Sequence, residues 1–149
     1  MADESGGRVA LQLSGGSVIA SVQIDLSEST LETFRADLME CIHSNRARRV
    51  VVDLSGVDIM DAGDLDHLRK TLTMASILGA LSVVVGIRPG IASALAVLGV
   101  DLDGILTARN LDAGIELLQS MSDDKTEEPD ADSESATDSD EALVREQEE

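Results

Sequence analysis

Apolar positions along this chain change period several times, and the changes outline an alternating order of strands and helices. Val9, Leu11 and Leu13 alternate with polar neighbours, the period of a half-buried strand, and a second apolar run extends from Val18 to Leu26. Between them, Ser14-Gly15-Gly16-Ser17 supplies the glycines that a tight hairpin turn needs. Strands are therefore predicted over Arg8 to Leu13 and Val18 to Leu26. Leu31, Phe34, Leu38, Cys41 and Ile42 follow the spacing of one helix face. That helix is opened by Ser29-Thr30-Leu31-Glu32, which has the form of a capping box, and it ends near Ser44-Asn45.

Val50, Val51, Val52 and Leu54 form a block too short for a helix and bounded by Ser55-Gly56, which reads as a buried strand. A helical stripe of Leu65, Leu68, Leu72 and Ala75 follows, then a strand of Leu81, Val83, Val84 and Val85 ending at Gly86. Pro89 stands in the first turn of a helix that carries Ile91, Leu95 and Leu98 and stops at Gly99. A short strand at Ile105 to Thr107 leads to Asn110, an N-cap for a last helix with Leu111, Ile115 and Leu118. The order β-β-α-β-α-β-α-β-α predicts an α/β fold: a mixed, mostly parallel sheet, an N-terminal hairpin and about four helices. Both faces of Val50–Val52 and Val83–Val85 are apolar, so each face needs a cover. Helices on both faces would supply it, and so would helices on one face with the hairpin or a neighbouring chain on the other.

The junction between the Val50 strand and the Leu65 helix is the most informative stretch. Its corner reads Val57-Asp58-Ile59-Met60-Asp61-Ala62-Gly63-Asp64, and Asp61 can cap the helix by accepting from the unpaired amides of its first turn. Strand ends that feed helix N-termini are where open α/β sheets place ligands and switches. Any chemistry is therefore expected near Asp61.

Charge narrows the function class. The 149-residue chain has a net charge of −18, and residues 123–149 hold 13 of its 29 acids and two of its 11 basic residues. The expected organisation is a flexible N-terminus at 1–7, one domain at 8–121 and a disordered acidic tail at 122–149, too polar to offset its ordering entropy. Ser133, Ser135, Thr137 and Ser139 lie among acids and are phosphoacceptor candidates, though the tail reads foremost as solubilising. An acidic surface with one Phe and no Trp or Tyr argues against nucleic acid and anionic membranes as partners. The single cysteine, Cys41, is expected to be a small buried hydrophobe. With no secretory signal and no apolar run long enough to span a bilayer, a cytoplasmic location is expected.

Constellations that carry catalysis are incomplete. Asp53 ends the central strand as a phospho-accepting aspartate does in a receiver domain, yet the acidic pair and the lysine of that chemistry have no counterparts. A receiver-like or metal-dependent phosphotransfer protein using Asp53 is the alternative from another class. Asp61, Asp64 and His67 recur at i, i+3 and i+6, but the last position has rotated away from the first, so solvated acids and an exposed histidine are expected instead of a metal site. His43 suits compensation of a helix C-terminus. Asp101-Leu102-Asp103-Gly104 reads as a turn, because its glycine is misplaced for a calcium loop. No cofactor, metal or catalytic residue is expected.

Several motifs in order resemble the STAS family of bacterial anti-sigma-factor antagonists, and within it the RsbS-like stressosome scaffolds. They are Leu13-Ser14-Gly15-Gly16, Val22-Gln23-Ile24-Asp25-Leu26, Val51-Val52-Asp53-Leu54-Ser55, Asp58-Ile59-Met60-Asp61, Leu78-Gly79-Ala80, Val85-Gly86-Ile87-Arg88-Pro89 and Leu98-Gly99-Val100-Asp101-Leu102. The resemblance covers roughly Val9 to Leu118. It implies a STAS fold and a non-catalytic interaction module that binds a switch serine/threonine kinase or an anti-sigma factor in a partner-switching stress response. It also implies co-assembly with related STAS proteins. Asp58, Met60, Asp61, Ala62, Gly63 and Asp64 would form the partner-binding corner. In such families the kinase phosphorylates a Ser or Thr directly after the aspartate matching Asp61; here Ala62 stands there and has no hydroxyl. Ser93 lies near a second region phosphorylated in some relatives, although Ala94 falls at the aligned place.

Overall fold

The computed structural model describes residues 9–23 and 25–122. The expectations for 1–7 and for the acidic stretch from 123 onward concern residues outside these. The strands are β1 (Ala10–Ser14), β2 (Ser17–Ser21), β3 (Arg49–Asp53), β4 (Leu81–Val85) and β5 (Thr107–Ala108). The helices are α1 (Glu28–Asn45), α2 (Ala62–Ile77), α3 (Pro89–Val97) and α4 at 111–122. The fold is thus the predicted α/β arrangement, and the sheet order is β1-β2-β3-β4-β5. Among the described residues only the β1–β2 pair is antiparallel; β2 to β5 run parallel.

Local chemistry explains most boundaries. Gly15 and Gly16 both have positive φ, 56° and 82°, and Ser14 pairs with Ser17, as a two-residue hairpin turn requires. The α1 cap differs from the prediction. Ser27, not Ser29, is the N-cap, its hydroxyl accepting from the Thr30 amide at 3.2 Å, and the helix starts at Glu28. β2 is shorter than expected because the chain turns out of the ladder after Ser21, although the Val22 amide still donates to Asp53 O at 3.0 Å. β5 is displaced toward the C-terminus because Ile105 closes a turn onto Leu102 O. Asn110 caps α4 by accepting from the Ala113 amide at 2.9 Å, and α4 continues through Ser122, one residue into the stretch read as tail.

Helices cover both faces of the sheet. Val50, Val52 and Val84 join Phe34, Leu38, Leu65, Leu68, Ile91 and Leu95 in a core beneath α1, α2 and α3. On the opposite face Val51, Val83 and Val85 pack with Leu118 of α4, with Leu111 and Ile115 against them. Gly114 permits this approach: a Cβ there would lie 2.6 Å from Val85 Cγ1. Cys41 is only half-buried, at the edge of the larger core, because its stripe turns toward solvent one position before Ile42. Among the described residues no helix is long and apolar enough to cross a membrane.

Candidate functional site

Leaving β3, the chain makes a corner that is apolar inside and acidic outside. Val57 and Met60 are buried, whereas Asp58 and Ile59 project outward, Ile59 with 67% of its surface exposed. Burying the two apolar residues fixes which side chains face solvent. Two close approaches tighten the corner further. A Cβ on Gly56 would sit 2.6 Å from Val22 O, and one on Gly86, whose φ is 74°, would sit 2.8 Å from Asp53 Oδ1. That Asp53 oxygen accepts from the Ser55 amide at 2.9 Å, so the carboxylate shapes the turn.

The corner is also tied sideways. Arg88, at the head of α3, donates from Nε to Ser55 O at 2.8 Å and pairs its guanidinium with the Asp58 carboxylate. This clamp links the β3–α2 connection to the β4–α3 connection. No spacing in the sequence predicts it, although the sequence holds one signal. A cation stands at the positive end of a helix, where an acceptor is the usual residue, and Arg88 makes no side-chain cap bond there.

Asp61 begins α2 as predicted, with extended backbone. Its Oδ1 accepts from the Asp64 amide at 2.8 Å, and Asp64 Oδ2 accepts from the Asp61 amide at 3.1 Å. Two of the four unpaired backbone amides at the helix start are thereby satisfied within one reciprocal box. Burial pushes the Asp64 carboxyl above its ordinary value of 3.8, and the neighbouring Asp61 carboxylate adds to this; the hydrogen bond from the Asp61 amide and the nearby His67 oppose it. Ala62 and Gly63 lie between the two acids, both exposed. The first turn of α2 therefore offers solvent a methyl group and bare backbone flanked by carboxylates.

His67 does not join this group as an exposed histidine. It is half-buried, with Nδ1 3.4 Å from Arg35 Nη2 of α1. Arg35 Nε also donates to Thr71 Oγ1 at 3.4 Å, and Thr71 donates to His67 O at 3.0 Å, a polar seam between the two helices. Among the described residues no three acidic, histidine or cysteine side chains are grouped to hold a metal. His43 is exposed in the last turn of α1. Asp101 Oδ1 accepts from the Asp103 amide at 2.9 Å, the predicted turn, and Arg69 of α2 donates to the carbonyls of Asp101 and Asp103. Ser93 and Ala94 are both exposed on α3, the helix that Arg88 ties to the corner.

Comparison with known proteins places these features. A model of the STAS domain matches residues 8–113. The RsbT co-antagonist proteins RsbRA and RsbRB of Bacillus subtilis (strain 168) are 31% and 29% identical over 101 and 106 residues, or 64% and 62% of this chain. The match spans only 37% and 38% of those two proteins. Among solved structures, a substituted form of Moorella thermoacetica RsbS superposes with a TM-score of 0.64 at 24% identity, covering 76% of this chain and 97% of that one. The unphosphorylated anti-sigma factor antagonist SpoIIAA gives 0.60 at 12% identity, covering 75% and 96%. These two likenesses speak to the fold, and the family match to descent. The chain belongs to the STAS domain family.

Proposed function

We propose that this chain is a non-catalytic docking subunit of a partner-switching stress pathway. Its corner, Asp58 to Asp64 with Met60 beneath it, engages a switch serine/threonine kinase or an anti-sigma factor, and the protein assembles with related STAS proteins. The observation that carries this reading is the first turn of α2: a rigid, reciprocally capped helix start with exposed Ala62 between two carboxylates. A surface set before its partner arrives loses little conformational entropy on binding. The kinship with the RsbT co-antagonists and the shared fold with RsbS support the same assignment.

In this reading Ala62 fixes the protein in its uncharged, binding-competent form. Phosphorylation of a hydroxyl at this position would add nearly two negative charges beside Asp61 and Asp64, enough to repel an acidic partner surface. Ala62 cannot receive them, so release must be governed elsewhere, with Ser93 the remaining hydroxyl on α3 that the resemblance points to. The test is to incubate the protein with the switch kinase and ATP and to map phosphate by mass. The expected result is stable capture with no phosphate between Asp58 and His67. Loss of capture on adding ATP, without modification of any serine or threonine in this chain, would overturn the reading.

A further inference from the structure

A second site lies between α3 and β5, at the edge of the larger core. β4 and β5 are adjacent and parallel, but α3 follows β4 on one face of the sheet and α4 follows β5 on the other. The connections after these strands diverge, which opens a crevice at their C-terminal ends, the place where open α/β sheets receive small ligands. Here the crevice is a groove of about 390 Å³ between α3 and β5, within the size range of small-molecule sites. Ile87, Leu95, Val100 and Leu102 make its walls, and Thr107 and Arg109 supply its polar end.

The charge pattern selects the occupant. The groove lining holds no acidic side chain, and Arg109 is its one charged group. Arg109 forms no ion pair or hydrogen bond with any described residue. This guanidinium stands at the mouth of an apolar cleft, on a chain whose net charge is −18. The guanidinium fork matches a carboxylate, while the aliphatic walls match a hydrocarbon chain. We propose that this groove binds a free short- to medium-chain aliphatic carboxylate, chain inward and head group on Arg109. The site lies apart from the Asp58–Asp64 corner and does not depend on what that corner binds.

Titration of the full chain with octanoate below its micelle concentration, followed by amide NMR, tests this. Saturable shifts are expected at Ile87, Leu95, Val100, Leu102 and Arg109, with octanoate at least threefold tighter than octanol. Arg109→Gln should weaken octanoate threefold or more and leave octanol unchanged. Ala96→Phe, at an exposed position on the groove wall, should abolish both while the circular dichroism spectrum is retained. Absence of saturable binding, equal affinity for acid and alcohol, or indifference to Arg109→Gln would overturn the proposal. So would the same shifts on raising protein concentration alone, which would assign the groove to a second copy of the chain.

Discussion

Replacing Asp61 by Ala removes the acceptor that holds the Asp64 amide at 2.8 Å and takes a negative charge from the positive end of α2. Loss of an N-cap acceptor to Ala typically costs about 1 kcal/mol, and the favourable charge–dipole contact adds roughly 0.3–1 kcal/mol. Relief of repulsion between Asp61 and Asp64 offsets part of the second contribution. A net loss of about 1–1.5 kcal/mol is expected. With a urea dependence of about 2 kcal/mol per M for a small domain, the unfolding midpoint should fall by roughly 0.5–0.75 M, read by circular dichroism. Asp61→Asn keeps a side-chain acceptor and should cost only about 0.5 kcal/mol, because Asn and Asp cap comparably. Native-state hydrogen exchange should report the same event locally, with the Asp64 amide opening faster in the Ala variant. Equal stability of the Ala variant and the wild type would mean that the reciprocal box does nothing to order the corner, contrary to the geometry described.

Arg88→Ala should change global stability by under about 1 kcal/mol, since the Asp58 pair is largely exposed, yet it should speed amide exchange across residues 55–60 and weaken partner capture; unchanged exchange there would show that the clamp is not formed in solution. Gly86→Ala should destabilise by at least about 1–2 kcal/mol, the cost of a side chain at positive φ, because its Cβ would also collide with Asp53 Oδ1; a neutral result in thermal unfolding would contradict the close approach described. Asp64 has a raised pKa in the folded protein, so its neutral form is favoured by folding. Its contribution is present below the unfolded value near 3.8 and is lost as pH rises through the folded value. Asp64→Asn should therefore gain on the wild type as pH rises from about 3 to 6, and NMR titration of Asp64 at or below 3.8 would contradict this.

Much of the fold was legible because its signals are local. Gly15-Gly16 needs no partner to specify a turn, and Asp61, Pro89 and Asn110 each act within a few residues of their own position. Where two local signals compete, sequence alone decides less well. Ser27 and Ser29 can both cap α1, and the difference is set by burial of Thr30 and Leu31 against the core, a tertiary effect. The apolar pattern sets the short β5 two residues early, because Ile105 has strand character but is spent in a turn. At the candidate site the acids and Ala62 were visible, as neighbours in one motif. The groups that position them were not: Arg88 reaches Asp58 across 30 residues and Arg35 reaches His67 across 32, and no period or spacing encodes such meetings. His67 accordingly reads as exposed in sequence and is half-buried in the fold.

Capture of the switch kinase by the wild type and by Ala62→Glu, measured by titration calorimetry in the presence of ATP, bears most directly on the docking reading. Tight, persistent binding by the wild type is expected, with at least a tenfold loss with glutamate at that position and the fold intact by circular dichroism. Equal binding by the two proteins would contradict the docking reading, because the first turn of α2 would then lie outside the surface that the partner touches.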